Sequence, residues 1–288
     1  MIPLLDRYQL VVPASLGDAL DDLAQHHGAR PFAGGTDLMV LLEAGHLPEG
    51  RYVSLQRCRE LAGIQAADGG VSIGALTTYT QIQRSALLAR DYPLLAAAAR
   101  ETGGVATQNR GTIGGNIANG SPAADTPPVL LVYDAELELL SASGTRRVPY
   151  AAFHRGYKQM DLAAGEVIAR VILPPRAQGA GYYRKVGTRR AQAISKVCFA
   201  GTIRVDAGVV QDVRIAVGSV APTVIRCARA EFVLGEGATV DQAKEALLED
   251  IQPIDDLRST ADYRRRVAAN LLEQFWRDTD ARRRAPHG

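Results

Sequence analysis

Residues 111–131 read GTIGGNIANGSPAADTPPVLL, and the rest of the chain is organised around them. Two adjacent glycines, Gly114 and Gly115, precede a short polar run, one carboxylate at Asp125, and then Pro127, Pro128 and an apolar run. Without a Cβ, the backbone turns sharply at glycine and approaches a ligand closely. Successive N–H groups in such a turn make a concave donor site for an anion, usually a phosphate. Residues 126–133 read as a helix. Asp125 therefore has two readings: an N-cap of that helix, or an acceptor for a sugar hydroxyl at the edge of a nucleotide site.

A second glycine turn strengthens the phosphate reading. Residues 31–38 read PFAGGTDL, again a glycine pair, followed by Thr36, Asp37 and the apolar residues 39–42. Two such turns suggest two walls of one phosphate-binding cleft. Neither is a three-glycine dinucleotide fingerprint, and neither ends in the Gly-Lys-Ser/Thr of a P-loop.

With 288 residues the chain is long enough for two or three packed subdomains. A hydrophobic content of 47% and a charged content of 22% are those of an ordinary globular protein. The net charge of +2 gives no electrostatic case for a nucleic-acid partner. The N-terminus, MIPLLDRYQL, lacks the apolar core of a signal peptide, and no stretch approaches the about 20 apolar residues of a membrane span. Cys58, Cys198 and Cys227 are isolated, which fits reduced thiols in a cytoplasmic protein. Their spacing matches no zinc or iron–sulfur pattern, so no metal is expected in this chain.

In chain order, residues 15–28 predict an amphipathic helix with a capping-box start at Ser15 and Asp18 and a stop at Gly28, flanked by short strands at 9–12 and 30–32. His26 and His27 fall at its C-terminal end, where cations are favoured. Residues 71–74 predict a strand and 77–88 a helix, with Thr77 and Thr78 either caps or cleft-facing hydroxyls. An Ala-rich helix spans 92–102, closed by Gly103 and Gly104. Strands follow at 135–140 and 167–173, with a hairpin turn at 142–145. Pro174, Pro175 and the glycines at 179 and 181 mark a domain boundary. Beyond it, strands at 197–205 and 209–217 pair across Asp206-Ala207-Gly208, and helices cover 239–248 and 260–278. This is an antiparallel sheet covered by helices. Between the halves, residues 182–196 carry Arg184, Lys185, Arg189, Arg190 and Lys196. Such a run reads as a solvated loop, preferred for Arg189 and Arg190, or as cations facing an electron-accepting ring whose reduced anion they stabilise.

At this point the chain resembles a family: the FAD-binding medium subunits of the molybdenum hydroxylases, of xanthine dehydrogenase and carbon monoxide dehydrogenase type. The resemblance covers nearly the whole chain and rests on AGGTDL at 33–38, IGALTT at 73–78, TIGGNIANGSPAADTPP at 112–128, EVIARVILP at 166–174, YRKVGTRRAQAISKV at 183–197, APTVIRC at 221–227 and STADYRRRVA at 259–268. It implies an α+β protein: an FAD-binding domain of the vanillyl-alcohol-oxidase type over residues 1–175, in two subdomains (about 1–55 and 56–175), then a C-terminal α+β domain over 176–280 and a basic tail over 281–288. Carried over by position, Ala33, Gly34, Gly35, Thr36, Asp37 and Leu38 would bind the FAD pyrophosphate through backbone N–H groups. Thr112, Ile113, Gly114, Gly115 and Asn116 would form the opposite wall, with Thr78 beside them. Asp125 would hold a sugar hydroxyl, Ile168 and Ala169 would pack near the cofactor, and Lys185 would lie by the isoalloxazine. The loop 187–195 would control which acceptor reaches the flavin.

The same resemblance implies partners: a large molybdopterin-binding subunit and a small iron–sulfur subunit, with NAD, oxygen or another carrier as electron acceptor. Molybdenum and iron–sulfur clusters are expected only in those partners, and no residue here is expected to act as acid, base or nucleophile. The chain lacks the cysteine-bearing insertion of the benzoyl-CoA reductase branch. His26, His27, His46 and His154 lie outside the matching motifs, so the FAD is expected to be held non-covalently. The rival from another class is a non-redox nucleotide-binding module.

Overall fold

In a computed structural model of the chain, residues 7–175, 179–189 and 191–284 are described. The first unit runs β1 (Tyr8–Val11), α1 (Leu16–Gln25), β2 (Arg30–Phe32), α2 (Leu38–Glu43) and β3 (Gly50–Ser54). β3 lies between β1 and β2, parallel to both. α1 begins with the expected capping box, in which Ser15 Oγ accepts the Asp18 N–H at 3.1 Å and Asp18 accepts the Ser15 N–H in return. Its apolar face, Ala19, Leu20 and Leu23, closes a small core with Val53, Leu55 and Leu61.

The next segment holds the hairpin β4 (Ile64–Ala67) and β5 (Gly70–Gly74), then six short helices: α3 (Tyr79–Arg84), α4 (Ala86–Asp91), α5 (Pro93–Glu101), α6 (Val105–Arg110), α7 (Ile113–Ala118) and α8 (Pro127–Val132). β6 (Glu136–Ser141), β7 (Gly144–Pro149), α9 (Tyr150–Phe153), β8 (His154–Gly156), β9 (Gln159–Met160) and β10 (Val167–Leu173) complete it. Its main sheet is antiparallel, in the order β4-β5-β10-β6-β7. The helix expected over 77–88 is two helices, because Ser85 leaves helical geometry (ψ 113°) and caps α4 through the Leu88 N–H.

The last segment is β11 (Ala180–Val186), β12 (Val197–Asp206), β13 (Val209–Gly218) and β14 (Ile225–Arg226), an antiparallel sheet in that order, with α10 (Ala228–Gly235), α11 (Val240–Asp250) and α12 (Ala261–Arg284). The β12–β13 turn puts both Ala207 and Gly208 at positive φ, as a two-residue hairpin loop requires. Large side chains on one face of this sheet, Phe199, Ile215 and Val217, meet Phe275 of α12 and Leu234 of α10. On the other face, Ala200 and Ala216 join the core that contains α5 and α8. α12 extends past the expected end at residue 278, to Arg284. Residues 285–288, Arg190, and 176–178 within the proposed boundary lie outside the described residues.

The molecule is therefore of the α+β class, with antiparallel sheets beside a small parallel one at the N-terminal end. Phe275 is fully buried against Phe199 and Tyr182. We expect Phe275→Ala to cost about 3–5 kcal/mol, read as a lower urea midpoint at unchanged slope.

Candidate functional site

The first glycine turn lies between β2 and α2. Gly35 takes φ +75°, and a Cβ there would stand 2.7 Å from the Phe32 ring. A Cβ on Gly34 would stand 2.0 Å from the Arg110 carbonyl oxygen and 3.2 Å from Gly111 Cα. The absence of side chains thus lets this turn seat directly on the α6–α7 junction. Among the described residues, no acceptor takes the N–H groups of Gly34, Gly35, Thr36, Asp37 or Leu38; the helical bonding begins with Met39 N–H to Gly35 O. Five consecutive unsatisfied donors flank a left-handed glycine, the kind of backbone an anion can use.

The second glycine pair is built differently. Gly114 and Gly115 are not in a turn but in the first turn of α7, capped by Thr112. Their donors are already used: Ile113 N–H to Thr77 O, Gly114 N–H to Ala75 O, Gly115 N–H to Thr112 Oγ1, and Asn116 N–H to Thr112 O. The expectation of a second N–H cradle at Gly114-Gly115 is corrected on this point. Gly114 is required by packing, since a Cβ would lie 2.6 Å from Ala75 Cβ. What α7 offers is a smooth exposed face, with Gly115 and Ala118 exposed and Asn116 and Asn119 half-buried. Asn116 is oriented by Thr126, whose Oγ1 bonds Asn116 Oδ1 at 2.6 Å. Asn119 Nδ2 donates to Asp37 Oδ1 at 3.4 Å, so α7 and the first turn face each other.

Thr78 is the N-cap of α3, closing a capping box with Gln81, and bridges to Thr112. Ile168 and Ala169 sit at a bulge in β10, both buried, and the Ala169 carbonyl accepts the Ala75 N–H beneath Gly114. They thus support α7 from below.

Asp125 is neither a helix cap nor solvent-facing. α8 is entered through Thr126 with no side-chain cap bond. The Asp125 carboxylate instead accepts from Lys185 Nζ at 2.7 Å and from Ser195 Oγ at 2.7 Å. Lys185 also donates to the Glu101 carbonyl at the end of α5 and keeps a side-chain exposure of only 6%. The solvated reading fails for Lys185. Burial pushes the Asp125 carboxyl up, and the Lys185 ammonium and Ser195 hydroxyl pull it back. Arg189, by contrast, is exposed and turns its guanidinium onto its own loop, at the Ala191 and Gln192 carbonyls.

Sequence reasoning missed the residues that hold this pair. Ser195 is one. Ser219 is another, a buried serine at φ +66°. Its N–H donates to Pro122 O, its Oγ to Ser195 O, and its carbonyl accepts from Arg264 of α12. Such a φ costs about 1–3 kcal/mol, and three hydrogen bonds hold it. Nothing in the sequence links these positions, because they meet only in the folded chain. His154 lies outside the matching motifs, yet its Nε2 contacts the Ile117 carbonyl at 3.0 Å and so braces α7. That contact requires a proton on Nε2, which the Nε2–H tautomer supplies in the neutral ring.

Lys185→Met leaves a buried, uncompensated carboxylate and is expected to destabilise the fold by about 3–5 kcal/mol. Adding Asp125→Leu should restore most of that loss, read by urea unfolding of the single and double variants. Burial depresses the His154 pKa below its ordinary value of 6.5. The unfolded chain therefore binds a proton more readily, so the stability due to neutral His154 is full above about pH 6.5 and falls as pH drops through the folded-state value. His154→Gln is expected to flatten the pH dependence of the unfolding midpoint between pH 7.5 and 5.5, about one unit either side of the ordinary histidine value of 6.5.

Residues 6–176 match the family described as the FAD binding domain in molybdopterin dehydrogenase, and residues 182–279 match the CO dehydrogenase flavoprotein C-terminal domain. The chain is 36% identical over 272 residues to the xanthine dehydrogenase FAD-binding subunit of Escherichia coli O157:H7, covering 91% of this chain and 92% of that one. It is 32% identical over 280 residues to the carbon monoxide dehydrogenase medium chain of Hydrogenophaga pseudoflava, covering 95% and 96%. A solved structure of carbon monoxide dehydrogenase from Hydrogenophaga pseudoflava, lacking the Mo-pyranopterin moiety, superimposes with a TM-score of 0.91 at 30% identity, over 96% of this chain and 98% of that one. With the turn at Gly34-Gly35, the face of α7 and both segments accounted for, the chain belongs to the family of FAD-binding medium subunits of the xanthine and carbon monoxide dehydrogenases, an oxidoreductase component.

Proposed function

We propose that this chain holds FAD without a covalent bond and passes electrons from the iron–sulfur clusters of a small partner subunit to an external acceptor, NAD or another carrier. In this reading a large partner subunit carries the molybdenum cofactor and oxidises the substrate, and the assembly works in the cytoplasm. The observation that carries it is the set of five N–H donors at Gly34, Gly35, Thr36, Asp37 and Leu38, with α7 brought opposite them through Asn119 and Asp37. A pyrophosphate fits such a donor set and needs no metal or lysine there. The names of relatives support the subunit roles: one is a FAD-binding subunit, others are medium chains of carbon monoxide and glyceraldehyde dehydrogenases. Among the described residues no helix is long and apolar enough to cross a membrane.

In this assignment Ala33 and its five successors bind the pyrophosphate. Thr112, Ile113, Gly114, Gly115 and Asn116 form the second wall, with Thr78, Ile168 and Ala169 supporting it. Lys185 serves the ring end, while the sugar hydroxyl expected at Asp125 would meet a buried carboxylate whose two oxygens already accept from Lys185 and Ser195. The flavin supplies the redox chemistry when bound; the chain's work is to orient it and set its electrostatics. A buried lysine near the ring favours the reduced anion, and Asp125 holds that lysine in place. The loop 187–195 is anchored at Gly103 by the Gln192 N–H, beside this pair, which suits it to select the acceptor.

The test is the visible spectrum of the purified chain, followed by heat denaturation and identification of the released chromophore. Flavin bands and free FAD in the supernatant are expected. A colourless protein that takes up no added FAD would return the rival nucleotide-module reading. Gly35→Ala, which meets both a left-handed φ and the Phe32 ring, is expected to lower FAD retention at least tenfold, read by flavin content per chain.

A further inference from the structure

Arg110 is the side chain at this site that the reading above leaves unused. It is the last residue of α6, exposed, and among the described residues its guanidinium has no ion pair or hydrogen bond. Its neighbours on the same turn are tied down. Asn109 Oδ1 accepts from Thr80, and Gln108 Nε2 donates to the Arg100 carbonyl. The Arg110 backbone is in direct contact with the first glycine turn, because a Cβ on Gly34 would stand 2.0 Å from its carbonyl oxygen and 2.9 Å from its carbonyl carbon. A free guanidinium is thus carried on a main chain that packs directly against the turn with the five free N–H donors.

We infer that Arg110 is a diphosphate-binding residue, closing over the FAD pyrophosphate opposite the Gly34–Leu38 donors. The inference rests on the proposed FAD site. The physical case is that a planar guanidinium matches phosphate oxygens in pairs, which a lone ammonium does not. Backbone donors alone leave the outward oxygens of a diphosphate in water, and an unpaired arginine whose main chain adjoins the turn is suited to take them. The plainer role for a cation in a last helical turn is to complement the helix end, and the two roles separate by measurement.

The experiment is FAD titration of the apo chain, by quenching of flavin fluorescence, for wild type, Arg110→Gln, Arg110→Lys and Gly35→Ala, at low and high salt. For Arg110→Gln the FAD Kd should rise about tenfold at low salt, the weight of one charge-assisted contact. The difference from wild type should shrink at high salt, where an exposed ion pair is screened. Competition by ADP, which carries the diphosphate without the flavin, should weaken by the same factor. Arg110→Lys should fall between the two, and the thermal midpoint of the apo chain should be unchanged. An unaltered FAD Kd, or a weakened one that tracks a lowered apo midpoint, would overturn the assignment and leave Arg110 a helix-end cation. Normal FAD binding by a folded Gly35→Ala chain would instead sink the cofactor site itself, independently of Arg110.

Discussion

The buried pair of Asp125 and Lys185 is the interaction on which the arrangement of this chain depends. Asp125 stands at the entrance to α8 and Lys185 on β11, 60 residues apart, and they meet at 2.7 Å with almost no exposure. A lone charge in such a place is costly, so neither side chain is tolerable without the other. Each recruits help from a different part of the chain: Ser195 for the carboxylate, the Glu101 carbonyl for the ammonium. The bonds of Ser219 then tie Ser195 to the turn at Pro122 and to Arg264 of α12. One ion pair thereby registers the antiparallel C-terminal sheet against the helices that precede it.

Close backbone approach is the second constraint. Gly34 against Arg110, Gly114 against Ala75, and Gly201 against the Phe275 ring each leave no room for a methyl group. At the seam between the two larger cores the same economy appears as Ala200 and Ala216, which let α8 lie on β12 and β13. Arg226 reinforces that seam from the surface, donating to the Leu131 carbonyl and to Asp134 while Glu231 holds its other edge. Arg214 also reaches Asp134. Small residues set the distances, and the ion pairs set the orientation.

The two glycine motifs show how similar sequences acquire different structural work. At Gly34-Gly35 the chain turns through a left-handed residue and leaves its N–H groups free. At Gly114-Gly115 it enters a helix, and every donor finds a partner within the chain. Local sequence favoured a turn in both places. What separates them is Thr112, whose hydroxyl caps the Gly115 N–H, and Ala75, whose carbonyl takes the Gly114 N–H. The capping boxes of α1 and the hairpin at Ala207-Gly208 were legible because their partners lie within a few residues of each other.

By itself the sequence determined the α+β class, the capped first helix, the paired glycine motifs and, through their resemblance to a family, the kind of cofactor. Those features depend on short-range spacing or on motif identity. The tertiary structure decided which glycine pair keeps its donors, that Asp125 binds Lys185 rather than a helix end, and that Ser195, Ser219, His154 and Arg110 stand beside the site. These residues are brought together from distant parts of the chain, and no local pattern records a contact between segments that meet only after folding. Burial then fixes their chemistry, because a polar group withdrawn from water must take whatever partner the fold supplies.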